Sequence, residues 1–359
     1  MMNSGYGAIS NKWFRDYFDL RIATAITAAG RMINKWNIKF SNELLNRNLS
    51  TTGVDYAFYG DTDSNYITMD NLVVQRGWDK LTTDEIVDNL DEYYKSDMHE
   101  PIQKFAQEMA DTCNAYEQRM FWEREVIAEA AVWQAPKLYI MAVNNSEGQA
   151  FAKPKIKFMG VAAKKSSTPE WCRGKLKSCY ETILTGTEEC LQKQVKDIKE
   201  EYFSQSIEQI AGASSVSDID KWADADGNPI KGTPYASKAA LLHNRYMDKM
   251  DVSGIPKIKS GDKIMLVNIK QPNPMNYNYM AFGDFLPPEF DMAKHVDYQA
   301  TFEKHFLNHL QLTLNPVGWH WKKRVNLFAL GGADKKQAIK GKVKKQKLAP
   351  KEKKARKLW

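Results

Sequence analysis

Tyr59-Gly60-Asp61-Thr62-Asp63-Ser64 lies between two short β-prone runs, residues 54–60 (VDYAFYG) and 65–70 (NYITMD). Two such runs around four polar residues predict a β-hairpin with D-T-D-S at its turn. Tyr56, Phe58 and Ile67 are expected to anchor the strands through their apolar faces. Gly60 allows either a close backbone approach or unusual dihedrals. Asp61 and Asp63 then sit together with one residue between them. Two carboxylates held that close repel unless a cation or a basic group is beside them, and a hard divalent ion such as Mg²⁺ prefers this oxygen chemistry. A pair of such ions about 4 Å apart activates a hydroxyl and stabilises a leaving group. As D-x-D alone, the segment is more simply an ordinary turn, since Asp and Ser are common turn residues.

Outward from the hairpin, the periodicity switches repeatedly. Residues 8–36 are expected to be helical, because Leu20, Ile22, Ala25, Ile26, Ala29, Met32, Ile33 and Trp36 recur at near-helical spacing. Residues 83–120 also have helical periodicity, and residues 126–160 read as strands broken by turns at Asn144-Asn145 and Glu147-Gly148. The run KSSTPEW at 165–171 predicts a helix start, with Ser or Thr as N-cap and Pro169 in the first turn. The helix that follows is expected to run in pieces to about Ile210. Residues 211–300 are mixed, with a strand candidate at 263–269, and residues 292–312 look helical again. No internal repeat is present.

The 359 residues suffice for two domains or one large one. No run of 18 apolar residues occurs, which argues against a membrane span. The opening MMNSGYGAISNKWF lacks the pattern of a secretory signal. Cys113, Cys172, Cys179 and Cys190 form no C-x-x-C pair and read as free thiols of a reducing compartment. The net charge of +7 is unevenly placed. From Asp334 to Trp359, twelve basic residues face two acidic ones, a net of +10, which leaves −3 for the preceding 333 residues. This tail is expected to be disordered, serving either as a solubilising segment or as a tether to a polyanion such as nucleic acid. Asp224-Ala-Asp226-Gly227 lacks the flanking ligands of an EF-hand and reads as a turn. His305 and His309 lack the adjacent Glu of a zincin helix and are assigned packing or surface roles. There is no glycine-rich phosphate loop.

The complete string Y-G-D-T-D-S between hydrophobic strands resembles motif C of the B-family DNA polymerases. The resemblance extends along most of the chain, to the T-even bacteriophage type. Residues 3–30 resemble the end of the fingers helix and the next palm helix, with Asn3, Tyr6 and Gly7 matching the N-S-x-Y-G end of motif B. By that resemblance Asn3 helps hold the incoming triphosphate and Tyr6 packs under the nascent base pair. Residues 120–129 (MFWEREVIAE) resemble a palm strand with an auxiliary acid, here Glu125. Residues 136–139 (PKLY) resemble the minor-groove element K-K-R-Y but keep only Lys137 and Tyr139. Residues 153–169 resemble the palm-to-thumb junction. There Lys153, Lys155 and Lys157 alternate along a strand, either as a solvated face or as a face for DNA phosphates, with Lys164 and Lys165 just beyond. Leu327 and Phe328 lie where phage polymerases carry a sliding-clamp peptide, although here the chain continues into the basic tail, and packing back on the thumb is the other reading.

The resemblance implies an α+β fold: an antiparallel palm sheet with helices, then a mostly helical thumb. The expected divisions are 1–12, the end of the fingers helix; 13–162, the carboxyl-terminal part of the palm; 163–330, the thumb; and 331–359, the basic tail. The implied function is that of a DNA-directed DNA polymerase, acting on primer-template DNA and dNTPs in the cytoplasm of an infected bacterium, with two Mg²⁺ ions. Asp63 and Asp61 are the expected metal ligands. The second carboxylate of the family's metal site comes from motif A, D-x-x-S-L-Y-P, and that string does not occur in this sequence. Nor do the triphosphate-binding basic residues of the fingers. A naturally split enzyme is therefore expected, over a truncated fragment, with the two Mg²⁺ ions shared with an amino-terminal polymerase chain. Alone, this chain is expected to be inactive and prone to aggregate through an unpaired sheet edge. The alternative is a non-catalytic DNA-binding subunit or an inactive fragment.

Overall fold

The computed structural model describes residues 2–251 and 254–322. The amino-terminal third is helical around one hairpin. Helix α1 (Met2–Ser10) is followed by turns and then by the 29-residue α2 (Leu20–Asn48). The sequence predicts one helix over 8–36, but residues 11–19 break it. Asp19 has extended backbone and its side chain accepts from the Arg21 amide, so it caps a new helix. The hairpin follows as β1 (Ala57–Asp61) and β2 (Ser64–Ile67), then α3 (Asp70–Gln75), α4 (Thr83–Tyr93) and α5 (His99–Thr112). The stretch expected as helix over 83–120 thus ends at Thr112 and contains a wide π-turn at Tyr94–Met98. Thr82 and Glu85 form a reciprocal capping box at the start of α4.

Strands β3 (Val126–Ala135), β4 (Leu138–Ser146) and β5 (Gln149–Met159) form an antiparallel sheet with β4 in the centre. β4 is buried on both faces, and its side chains alternate between two cores. Tyr139, Met141 and Val143 join Tyr66 and Trp133 on the hairpin side. Ile140 joins the main core on the other side, among Leu176, Tyr180, Tyr202, Phe302, Phe306, Leu310 and Leu314.

That core is built by α6 (Glu170–Thr185) and α7 (Glu188–Tyr202), together with α10 (Tyr298–Phe302) and α11 (Asn308–Val317) near the other end of the described chain. The predicted start of α6 is correct in place but not in its cap. Pro169 is the N-cap, with no side-chain hydrogen bond from Ser or Thr. Between these helix pairs lie α8 (Ile207–Ile210), β6 (Gly212–Ser215), α9 (Tyr235–Met250), β7 (Lys263–Asn268) and β8 (Tyr279–Phe282). The second antiparallel sheet has β7 in the centre. The region expected as helix over 292–312 starts late, at Tyr298, and a π-turn at Glu303–Leu307 joins α10 to α11. All four cysteines are free thiols. Burial pushes the Cys172 and Cys179 thiols up to about 12, so they are unreactive core residues.

Candidate active site

The hairpin is tighter than its sequence suggests. Asp61 pairs directly with Ser64, leaving only Thr62 and Asp63 as the loop. Two-residue hairpin loops need positive φ, and here Thr62 supplies it at φ 57°. Three hydrogen bonds hold that conformation. Asn34 Nδ2, from α2, donates to the Thr62 carbonyl at 3.1 Å. Thr62 Oγ1 donates to Asp61 Oδ1 at 3.1 Å, and Ser64 Oγ donates to the Asp61 carbonyl at 3.1 Å. Asp63 is exposed at the tip.

Gly60 is explained by close approach and not by dihedrals. A Cβ placed on it would stand 2.8 Å from Ile38 Cδ1 and 3.1 Å from Asn65 Oδ1. β1 therefore lies directly on α2. Tyr56 is fully buried as expected, whereas Phe58 is largely exposed and touches only one side, edge-on to Trp133 at 5.0 Å.

A basic group does sit beside Asp61. Lys137 Nζ is 2.7 Å from Asp61 Oδ1. The Lys137 ammonium holds the Asp61 carboxyl below its ordinary range, against a smaller opposing effect of burial, with help from Thr62. Lys137 occupies the short turn between β3 and β4 with φ 64°, and its amide donates to Tyr59 Oη at 2.9 Å. Gly160 closes the turn from behind. A Cβ there would meet the Lys137 carbonyl at 2.5 Å, and Gly160 has φ 61°. The hairpin is further fastened to the sheet by an aromatic cluster of Tyr59, Tyr66, Trp133 and Tyr139, in which Tyr66 and Tyr139 share a hydroxyl hydrogen bond of 2.7 Å. Burial, then the Tyr66 hydroxyl, raises the Tyr139 phenol well above its usual value, so it is a neutral structural hydroxyl.

The other expected site residues are placed as follows. Glu125 is paired with Lys157 at 3.0 Å. Among the described residues no three His, Cys, Asp or Glu side chains gather into a group that could hold a metal ion. Lys155 and Lys157 lie on one face of β5, but Lys153 falls where the pairing with β4 is interrupted, between Ala150 and Lys155. Lys155 Nζ lies 3.7 Å from the centre of the Phe151 ring. Lys164 and Lys165 are exposed after β5. Asn3, Tyr6 and Gly7 lie in α1, and Tyr6 is exposed. The side chain of Asn3, Leu327, Phe328 and the basic tail lie outside the described residues. Asp224 caps its own turn, accepting from the Asp226 and Asn228 amides at 3.0 and 2.7 Å. His305 is buried and held neutral, its pKa lowered to about 4 chiefly by burial. Sequence reasoning missed Asn34, Trp133 and Gly160, and read Tyr59 only as part of the motif string, without its contact to Lys137. Of the three, only Gly160 carried a signal, as a glycine directly after a strand.

No known family profile matches the sequence. Two individual proteins do. The chain is 32% identical over 343 residues to the DNA-directed DNA polymerase of Escherichia phage RB69, which is 91% of this chain and 37% of that protein. It is 30% identical over 345 residues to the DNA-directed DNA polymerase of Enterobacteria phage T4, covering 92% of this chain and 38% of that protein. The chain is a relative of part of these phage DNA polymerases. It spans little more than a third of their length. Like the expected polymerase segment, it mixes helices with small antiparallel sheets. No helix among the described residues is long and apolar enough to cross a membrane.

Proposed function

We propose that this chain is the motif C half of the palm, followed by the thumb, of a replicative phage DNA polymerase. It takes part in template-directed nucleotidyl transfer from dNTPs to primer-template DNA, in the cytoplasm of the infected bacterium. The observation that carries this reading is the rigidly held hairpin displaying Asp61 and Asp63, in a chain related over nine-tenths of its length to DNA polymerases.

The donor set suits Mg²⁺ in kind, since both side chains offer hard carboxylate oxygens. It is insufficient in number, because two carboxylates cannot fix two octahedral ions. A polypeptide outside this sequence, carrying motif A, supplies the rest. The hairpin is a two-stranded sheet among the described residues, so its edges are open to a further strand. Asp63, exposed at the tip, is the principal ligand, and Asp61 the second or an outer-sphere acid. Bound there, a Mg²⁺ pair would activate the primer hydroxyl and stabilise the departing pyrophosphate. Lys137 offsets the Asp61 charge and faces the primer-template minor groove, while Tyr139, buried beneath the turn and bonded to Tyr66, supports that turn and does not itself reach DNA. Lys153, Lys155, Lys157, Lys164 and Lys165 line the path of the phosphate backbone, where they would release counterions. Asn3, Tyr6 and Gly7 border the incoming nucleotide, Glu125 is an auxiliary acid, and Leu327 and Phe328 are a sliding-clamp anchor.

The test is Mg²⁺-dependent primer extension by this chain combined with the motif A polypeptide of the same genome. Asp63→Asn in that assembly is expected to lower the rate roughly 10²- to 10⁴-fold. Undiminished extension by the variant would refute the assignment. DNA binding without synthesis by the wild-type assembly would make this a non-catalytic DNA-binding subunit.

A further inference from the structure

An exposed apolar surface lies at the start of α2 and in the turns before it. Trp13, Tyr17, Leu20, Ile22 and Ile26 are 80%, 69%, 62%, 51% and 47% exposed, and Phe14 is exposed with them. Along α2, Ile22, Ile26, Ala29 and Ile33 recur every three or four residues and so form one stripe. In that half of the helix only Ala23 is buried before Asn34. The second half of the same helix is ordinary: Ser41 is buried, and Leu44 and Leu45 pack in a core with Tyr56, Leu72 and Ile102. Apolar residues this large, contiguous and uncovered mark an interaction surface.

We infer that this aromatic and aliphatic face of the residue 13–33 segment is the docking surface for the polypeptide that completes the catalytic domain. The inference rests on the polymerase reading above and adds where the completing polypeptide sits. Two observations select that occupant. The related polymerases contain more than 60% of their length outside the part this chain matches, which provides ample covering structure. The surface also leads into the site: Ile26, Gly30, Asn34 and Ile38 follow one another at i,i+4 spacing along one row of α2, where Asn34 bonds the Thr62 carbonyl between the two aspartates and Ile38 lies against Gly60. A polypeptide seated on the stripe is therefore adjacent to the hairpin whose metal site it must complete. A second copy of this chain would cover the same apolar area but would bring no new carboxylate type to the tip.

The experiment combines this full chain with the polypeptide of the same genome that carries the D-x-x-S-L-Y-P strand, and measures both assembly by analytical ultracentrifugation and primer extension. Ile22→Asp with Ile26→Asp is expected to weaken assembly about 30-fold or more. Asp63→Asn is expected to leave assembly intact and remove only synthesis. Trp13→Ser, at a highly exposed position in a turn, is the second variant. It cannot empty the core and is expected to weaken assembly in the same direction, so a folding defect in the double variant does not decide the matter. Undiminished assembly by Trp13→Ser and by a folded double variant overturns the inference even if the wild-type pair synthesises DNA. Self-association of this chain that both variants abolish, with no binding of the second polypeptide, overturns it in favour of a homodimer face. Assembly lost in the variants while the wild-type pair makes no DNA keeps the docking surface and removes the polymerase reading.

Discussion

At Asp61 a single ion pair sets both charge and position. With Lys137 removed, the carboxylate loses the contact that most lowers its pKa. Lys137→Ala is therefore expected to move the Asp61 titration upward, toward the ordinary carboxylate value near 4. Because the folded pKa lies below the unfolded one, the pair stabilises the fold above that range, and its contribution is lost as pH falls through the depressed value. Carbon-detected NMR of the side-chain carboxyl would read the shift, and an unchanged midpoint would contradict the pairing. Gly60 gives a second residue-scale test. The atom its Cβ would meet first is the end of the Ile38 side chain. Gly60→Ala is therefore expected to cost about 1–2 kcal/mol by overpacking, with most of it recovered by adding Ile38→Val, which deletes that methyl. Thermal melts of the single and double variants decide it. Asp61 and Asp63 were legible in the sequence because both lie in one continuous string. Asn34 was not, because its role depends on a contact 28 residues away in sequence, and nothing local distinguishes it from other helix asparagines.

The elements were read correctly where one period ran uninterrupted, as in the hairpin and in β7. They were misjudged where a cap or a wide turn interrupted an otherwise helical pattern. Asp19 restarts the first long helix, and π-turns at Tyr94–Met98 and Glu303–Leu307 shift the apolar face without altering the composition. One electrostatic knot ties such elements together. Asp91 at the end of α4 pairs with Lys95 at 2.7 Å and with Arg124, and Arg124 also donates to Asn145 in β4 at 2.8 Å. Asp91 and Arg124 are both largely buried. Burial alone would raise the Asp91 carboxyl, but Lys95 and Arg124 together bring it below its ordinary value. Asp91→Asn leaves the Arg124 charge without its partner and is expected to cost about 2–3 kcal/mol. Wild-type stability should fall as pH drops below about 4, with the variant losing less over the same interval. Urea unfolding at pH 7 and pH 3.5 measures both, and equal pH sensitivity would show that Asp91 is not the group responsible.

Across the whole molecule, the central sheet works as a shared wall. The main core joins Ile140 and Val161 to Leu176, Tyr180 and Leu310, so it runs continuously across the division expected at residue 162. Gln134 of β3 also reaches Thr313 of α11 at 2.5 Å, 179 residues away. That division follows the resemblance of residues 153–169 to a palm-to-thumb junction, and a likeness of local sequence carries no information about which side chains later meet across it. Ile140→Ala is expected to cost about 3 kcal/mol and to lower one cooperative transition reported alike by tryptophan fluorescence and by far-ultraviolet circular dichroism. Separate transitions by the two probes would mean that the wall divides two independent units. The long helix α2 has a mechanical consequence of its own. From Ile22 to Asn34 is about 18 Å of unbroken helix, with no proline or wide turn to absorb bending. It acts as a stiff lever. A tilt imposed where the exposed stripe is gripped is expected to reach the hairpin through the Asn34 hydrogen bond to the Thr62 carbonyl.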